Sequence, residues 1–379
     1  MLQPGEPLRK RILQARAGVI EALAVLLPER FGLELLDAAR WNLRDHRAER
    51  WYRSTLASIA ARRDDAATDR TIELLRRLSG RSIDLFEQAS SVLIAVAPRP
   101  EHRLNGRFLH AALSRWSMPE RDSAWGTTTY NWMDQPGPLD RLIRWAAAGP
   151  YPSYDDRVIE LASIPLIWTL SSPNRVMRDY VTKALCQLLA PRLSVLEELL
   201  EVFRTVNDPY VLQRLAVVTH GAVFVGGQAE PARALSCARL LASIVLSADT
   251  PPDVLARDAA RGATEWCLRA GLIDEAEYEN ANPPYSSVLP ERPRTLKQLE
   301  KKYDRREATR EAPGYISLFA SIFAMGDFGR YVIESDVRHF TRYRLNARVP
   351  RRQRSRRPKL NKEKFAEFEM TLTAEQLAA

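Results

Sequence analysis

Cysteine and histidine are scarce in this chain of 379 residues, and their scarcity excludes several kinds of site. The three cysteines, Cys186, Cys237 and Cys267, follow no disulfide pattern, so we expect small core residues in a reducing compartment. The five histidines show no metal-ligand spacing with the cysteines. We therefore predict neither a bound metal nor a cofactor.

Long hydrophobic runs and catalytic motifs are missing as well. The longest apolar stretch, Leu215–Val225, is too short to span a bilayer and includes His220. No signal peptide is visible, so we expect a cytoplasmic protein without membrane contact. The glycines of Gly221–Gly227 lack the Lys and Ser/Thr that hold phosphate and magnesium. Because GxSxG and HExxH motifs are also absent, we predict that the chain is not an enzyme.

The net charge of +9 comes from one segment near the end of the chain. Residues 338–364 hold twelve Lys/Arg and one Glu, whereas the remainder is close to neutral. The candidate contacts to a polyanion are Arg351, Arg352, Arg354, Arg356 and Arg357. They predict binding to nucleic acid through phosphate neutralisation. Because no aromatic residue is interleaved within Arg348–Lys364 for base stacking, a solvated linker is the alternative that we favour.

A recurring helix-start signal is the strongest positive feature. Ser172-Pro173, Asp208-Pro209 and Thr250-Pro251 each precede an amphipathic run. Ser, Asp and Thr can cap free helical N–H groups, and proline suits the first helical position. The starts lie 36 and 42 residues apart, which is typical of helix-pair repeats. A lone helix cannot bury its apolar stripe, so we predict an all-α solenoid of stacked antiparallel helix pairs, similar to HEAT or TPR arrays.

The three runs carry apolar stripes with the 3.6-residue period of helices. The stripe residues are Met177, Val181, Ala184 and Leu188, then Val211, Leu215, Val218 and Ala222, then Leu255, Ala259, Ala263 and Trp266. Helices are predicted near 173–189, 192–205, 209–225, 230–247 and 251–270. Charged residues at related positions are candidate inter-repeat ion pairs, namely Arg178, Asp179, Arg214, Arg257 and Asp258.

Composition shifts divide the chain into six predicted regions. They are an N-terminal helical region (1–113), a Trp-rich loop with a short helix (114–152), a helical repeat core (153–272), a Pro-rich excursion with a charged helix (273–311), a compact segment (312–346) and a basic tail with a candidate terminal helix (347–379).

Residues 114–131 concentrate aromatic side chains. Because this segment holds a glycine and three threonines, we predict an ordered loop instead of a long helix. Its candidate partner contacts are Trp116, Arg121, Trp125 and Tyr130, with Trp132 just beyond, since Trp, Tyr and Arg dominate binding hot spots. The alternative is that the rings fill a junction between helical subdomains. Glu120 and Asp122 are better explained by a helix cap and an ion pair with Arg121 than by catalysis.

Six motifs occur in order along the chain: SMPERDSAW, SSPNRVMRDYVTKAL, VNDPYVLQRLAVVTHG, VLARDAARGATEW, NPPY and GDFGRYV. As a set, over residues 114–332, they resemble the C-terminal helical-repeat region of bacterial antiviral STAND ATPases, the Avs-type NACHT-like proteins. The resemblance implies a sensor that binds a phage protein, such as the terminase large subunit or the portal. Binding would release an ATPase that oligomerises and activates an effector. We see neither domain here, so we expect a sensor-region fragment, a truncated gene product or a stand-alone descendant.

The sequence thus predicts a non-catalytic protein-recognition module. A nucleic-acid-binding accessory protein acting through the basic tail and a generic α-solenoid scaffold are the alternatives. The motifs that carry the resemblance are architectural, so the resemblance assigns no ligand residue.

Overall fold

The computed structural model describes residues 15–39, 49–132, 136–149, 151–247 and 252–285, with the isolated residues 295, 298, 366, 368, 370 and 371. Contacts within the chain divide it into two units, residues 1–289 and 290–379, and every helix named below lies in the first. Across the described residues the regular structure is helical, without β-strands. The prediction of an all-α protein is confirmed.

The helices follow one another with short connections. The first six are α1 (Ala17–Phe31), α2 (Leu35–Ala38), α3 (Glu49–Ala61), α4 (Asp69–Ser79), α5 (Ile83–Val96) and α6 (Gly106–Ser114). The next four are α7 (Met118–Arg121), α8 (Thr127–Asn131), α9 (Pro138–Ala148) and α10 (Asp156–Thr169). The last six are α11 (Arg175–Leu189), α12 (Leu193–Phe203), α13 (Pro209–Gly226), α14 (Pro231–Val245), α15 (Val254–Arg269) and α16 (Glu275–Glu279).

From α9 onward each helix packs against its neighbour in the chain and against the next helix but one. The contacts between alternate helices join α9 to α11, α11 to α13 and α13 to α15, and also α10 to α12 and α12 to α14. The three helices for which proline-led starts were predicted, α11, α13 and α15, are therefore neighbours in space. Helix α10 is surrounded, since every residue from Ile159 to Thr169 is buried.

Helix α13 begins where the sequence predicts. The Asp208 side chain accepts hydrogen bonds from the backbone N–H groups of Tyr210 and Val211, at 3.1 and 3.3 Å, and Pro209 is the first helical residue.

The other two starts lie later than predicted. Asn174 caps α11 and Asp253 caps α15, through bonds from the N–H groups of Met177 (3.2 Å) and Ala256 (2.8 Å). The prediction of a cap at Ser172 is wrong, because its hydroxyl accepts from the N–H of Asn174, ahead of the helix. Thr250 lies outside the described residues.

The predicted stripes of α11 and α13 are buried, but the stripe of α15 is rotated. Leu255 is exposed, and Ala256, Ala260 and Cys267 face the core with Ala259 and Ala263. Small residues let α15 approach α13 closely: a Cβ added at Gly262 would lie 2.7 Å from the imidazole of His220. Leu255 is thus the member of the predicted stripe that the structure leaves exposed, whereas Trp266 is half-buried.

The Trp-rich segment is helical, so the prediction of a loop is wrong. Helix α7, a π-helical turn (Asp122–Gly126) and α8 run without interruption over residues 118–131. Ser117 and Glu120 form a capping box, in which the Glu120 carboxylate accepts from the Ser117 N–H at 2.9 Å and from its hydroxyl at 2.7 Å. The buried Thr129 hydroxyl donates to the carbonyl of Trp125 at 2.9 Å, so its polar group is satisfied within the helix.

Candidate functional site

Arg121, predicted to contact a partner, is completely buried instead. Its guanidinium donates to the carbonyls of Leu113 and Asn207, at 3.2 Å each, and to the Asp208 carboxylate at 3.1 Å. The same group lies 4.9 Å from the ring centroid of Trp168. Arg121 therefore ties the Trp-rich segment to the start of α13. The predicted ion pair with Glu120 or Asp122 is replaced by the pair with Asp208.

Of the four predicted aromatic contacts, one is fully buried and the other three keep part of their surface exposed. Trp125 is buried, and its indole N–H donates to the carbonyl of Trp168 at 2.9 Å, so it holds the segment in place and cannot meet a partner. Trp132 is half-buried, with its ring centroid 6.5 Å from that of Trp125. Trp116 is half-buried and Tyr130 is exposed. Only part of the predicted set can form a surface.

A groove of about 700 Å³ opens beside this segment. We call it the arginine-rimmed groove. Its walls come from α4, α5, α6 and the π-helical turn. The lining residues are Leu75, Arg76, Ser79, Gly80, Arg81, Ser82, Ile83, Phe86, Ala89, Ser90, Leu93, Phe108, Leu109, Ala111, Ala112, Leu113, Arg115, Trp116, Ala124 and Trp125. The lining is mainly apolar, and none of these described residues is acidic. Its volume falls within the roughly 300–1,000 Å³ of small-molecule sites.

The rim of this groove carries three arginines without a carboxylate partner. Among the described residues, no Asp or Glu pairs with Arg76, Arg81 or Arg115, although Arg81 lies 4.8 Å from the Tyr52 ring centroid. Neighbouring arginines are neutralised: Arg77 pairs with Glu73 at 2.8 Å, and Arg107 pairs with Glu160. The three arginines thus give the rim positive charge that no carboxylate among the described residues neutralises.

A second surface lies at the N-terminal ends of α11, α13 and α15. Five large apolar side chains there are more than half exposed, and we call them the tyrosine ridge: Val176, Tyr180, Tyr210, Val254 and Leu255. The Arg178 guanidinium of α11 lies 5.0 Å from the Tyr210 ring centroid of α13. The Gln213 amide of α13 donates to the Asp253 carboxylate at the cap of α15, at 2.7 Å. These contacts bring together the N-terminal ends of the three helices that carry the exposed residues.

The residues predicted to form ion pairs between repeats have different kinds of partner. Arg214 of α13 donates to Asp179 of α11 at 2.7 Å, so this pair bridges two neighbouring helices. Arg178 donates to the carbonyl of Ser172 at 2.6 Å. Asp258 pairs with Arg261 of its own helix at 2.9 Å.

Arg257, another of these candidates, lies near an aromatic ring. Its guanidinium is 4.8 Å from the Tyr285 ring centroid. Arg214 and Asp179 thus form an ion pair between helices of the kind predicted.

The titratable groups give no sign of nucleophilic or metal chemistry in the described part of the chain. No group of three or more His, Cys, Asp or Glu residues there is arranged to hold a metal. Burial raises the pKa of Cys186 and Cys267 to about 11 and that of Cys237 to about 12, so the thiols stay protonated. Burial lowers the pKa of His110 to about 4, with a smaller effect from the Arg107 charge.

Two further predictions concern the tail and the membrane. The candidate polyanion contacts, Arg351, Arg352, Arg354, Arg356 and Arg357, lie outside the described residues. Among the helices that are described, none combines the length and the hydrophobicity that a bilayer crossing demands.

Comparison with protein-family models, with curated proteins and with solved structures finds no match for the chain. The candidate sites therefore rest on their own geometry. Sequence reasoning missed the tyrosine ridge, and of the groove it named only Trp116 and Trp125, although Val176 and Tyr180 gave a signal for the ridge. They are large apolar residues spaced i and i+4 beside the buried stripe of α11, where a solvated face would carry polar side chains.

Proposed function

We propose that this chain is a non-catalytic α-solenoid that binds a protein partner through the tyrosine ridge. The observation that carries the proposal is the exposure of five large apolar side chains on adjoining helix ends. Exposed apolar patches rimmed by polar groups mark interaction sites, and tyrosine is enriched in binding hot spots. Arg178, stacked on Tyr210, adds a second residue type that is common in hot spots.

The solenoid part of the proposal is supported by the order of helix contacts. Alternate helices pack in succession, α9–α11–α13–α15 on one side and α10–α12–α14 on the other, with each chain neighbour packed between them. Stacking of this kind lets every helix pair bury its apolar stripe against the next pair. It also lines up the helix ends that carry the ridge.

The partner that we propose is a phage structural or packaging protein, with the portal and the terminase large subunit as the two candidates. This step rests on the resemblance of the ordered motifs to the sensor region of antiviral STAND ATPases. Its physical counterpart is the breadth of the ridge, because large flat protein targets are bound by extended surfaces more than by pockets.

The test is binding of the purified full chain to immobilised portal and terminase proteins from a panel of phages. We expect at least one of them to bind, and we expect Tyr180→Glu or Val254→Glu to weaken that binding at least about tenfold by burying a charge in the contact. Val19→Glu is the matched control, since Val19 is half-exposed on α1, away from the ridge.

Two results would contradict the proposal at different steps. Full binding by both ridge variants would remove the ridge as the contact surface. Failure of every portal and terminase to bind the folded wild-type chain would remove the phage target.

A further inference from the structure

We propose that the arginine-rimmed groove binds an amphiphile with an apolar acyl chain and one anionic head, either carboxylate or phosphate. Neither the tyrosine ridge nor a protein partner is involved in this site. The inference rests on the charge of the rim, on the apolar walls and on the position of the charges at one end of the groove.

The topology places all three arginines at the same end. Helix α4 ends at Ser79 and α5 begins at Ile83, so Arg76 and Arg81 flank this turn. Arg115 directly follows α6, and the next residue, Trp116, has its ring 5.7 Å from that of Phe86 in the first turn of α5. The end of α6 therefore meets the start of α5, beside Arg76 and Arg81.

The opposite end of the groove is apolar. Leu93 lies eleven residues along α5 from its cap at Ser82, which is about 16 Å of helix. Phe108 and Leu109 come from the first turn of α6, and the N–H of Gly106 donates to the carbonyl of Ala97 at 3.0 Å, which joins the two helices there. The groove thus runs from a charged mouth to a hydrocarbon wall.

This arrangement selects a ligand with a charge at one end. The volume of about 700 Å³ admits a medium-length acyl chain together with a head group. Guanidinium groups bind carboxylate and phosphate through charge-assisted, often bidentate, hydrogen bonds. An amphipathic helix would instead place apolar anchors at i, i+3, i+4 and i+7 along the groove and leave its polar face in water, so it gives no reason for charge at one end only. Among the lining residues, the polar side chain next to Leu93 is Ser90, which carries no charge.

The experiment measures binding of dodecanoate and dodecyl phosphate to the full chain by calorimetry below their micelle concentrations. We expect saturable binding of one molecule per chain, with dodecan-1-ol weaker by about tenfold because it lacks the charge. Decanoate should bind about fifteenfold more weakly than dodecanoate, since it is two methylenes shorter and each buried methylene contributes about fourfold.

Matched variants locate the site. Arg76→Gln should weaken binding about tenfold, whereas Arg77→Gln should leave it unchanged, because Arg77 pairs with Glu73 and does not line the groove. Ala111→Trp, from an exposed wall position, should abolish binding, and Ala147→Trp on an exposed position of α9 is its control. Circular dichroism checks that each variant is folded.

Cross-linking gives a readout that needs no variant. A dodecanoate with a terminal diazirine should label residues near Leu93 and Phe108. Labelling elsewhere, equal binding of dodecan-1-ol and dodecanoate, or unchanged binding by Ala111→Trp would overturn the proposal. Absence of amphiphile binding, with an acidic amphipathic peptide held in the groove instead, would also overturn it.

Discussion

Arg62 and Arg121 are both almost fully buried, yet the two regions that hold them neutralise their charge in different ways. Arg62 makes a bidentate pair with Glu34, through two bonds of 2.9 Å, and the Thr71 hydroxyl donates to the same carboxylate at 2.5 Å. All of these partners lie within 37 residues of each other. This cluster closes a local unit of α1–α4 around one ion pair.

Arg121 is satisfied by mixed partners from distant parts of the chain. Backbone carbonyls, the Asn207 amide oxygen and the Asp208 carboxylate share its donors, and Asn207 and Asp208 are 86 and 87 residues away. Asp208 has a second role, because its other oxygen caps α13. We therefore expect the charges of the first cluster to be removable together. The second cluster, which we call the Arg121 clamp, includes a residue that also caps α13.

The largest effect should come from Arg121→Met. The change leaves the Asp208 carboxylate buried without its cation and removes the donor from several carbonyls, so we expect a loss of about 3–5 kcal/mol in the free energy of unfolding. Urea titration followed by tryptophan fluorescence measures it. Arg144→Met is the control, because this exposed arginine pairs only with Asp140 of its own helix, and it should change stability by less than about 0.5 kcal/mol. Equal losses in the two variants would refute the clamp.

The second-largest effect should be the difference in stability between two double variants, one for each cluster. Changing Arg62→Met and Glu34→Leu together removes both charges, so stability should stay within about 1 kcal/mol of the wild type. Changing Arg121→Met and Asp208→Leu together should still cost about 2 kcal/mol, because the cap of α13 is lost and the freed carbonyls stay buried. The same urea titration compares them. Similar costs for both double variants would show that the two clusters do not differ.

The two arginine clusters also show which parts of the fold could be predicted from the sequence. The start of α13 was readable from Asp208-Pro209 because a cap and its helix are adjacent in the chain. The helical state of residues 118–131 was not, because it depends on bonds from Arg121 to Asn207 and from Trp125 to Trp168. Local composition, with Gly126 and three threonines, pointed to a loop, and tertiary contacts outweighed it.

The two candidate surfaces illustrate the same limit. The buried stripes of α11 and α13 follow from helical periodicity, and the exposed Tyr180 and Tyr210 beside them could have been noticed from their position in the same pattern. The arginine-rimmed groove could not, since its walls meet only when α4, α5, α6 and the π-helical turn are packed. Nothing in the spacing of Arg76, Arg81 and Arg115 distinguishes them from the paired arginines around them.

Acid should destabilise the region of the Arg121 clamp through a neighbouring histidine. The His110 ring lies 5.7 Å from that of Trp168 and 4.6 Å from that of Phe203, and its pKa is about 4 in the folded chain against 6.5 ordinarily. The unfolded chain therefore binds a proton more readily, and the stability that neutral His110 provides is lost as the pH falls from about 6.5 to about 4.

Replacing His110→Leu should flatten the dependence of stability on pH in that window, as measured by urea midpoints at a series of pH values. Part of the dependence should persist, because burial and then the Arg99 charge also lower the pKa of His102 beside the first cluster. An unchanged pH profile in His110→Leu would show that the histidine beside the clamp does not carry the effect.

The smallest effect is expected at the surface counterpart of these clusters, the Arg214–Asp179 pair between α13 and α11. Both side chains keep contact with water, so their attraction is screened and the gain is limited to about 0.2–1 kcal/mol. Arg214→Gln should lower the free energy of unfolding by that amount in dilute buffer and by less in 1 M salt, whereas the cost of Arg121→Met should hardly respond to salt. A double-mutant cycle with Asp179→Asn isolates the pair. A coupling energy as large as that of the buried clusters would mean that burial does not distinguish the Arg121 clamp from a surface pair. A coupling energy of zero would mean that α11 and α13 are held together by their apolar stripes alone.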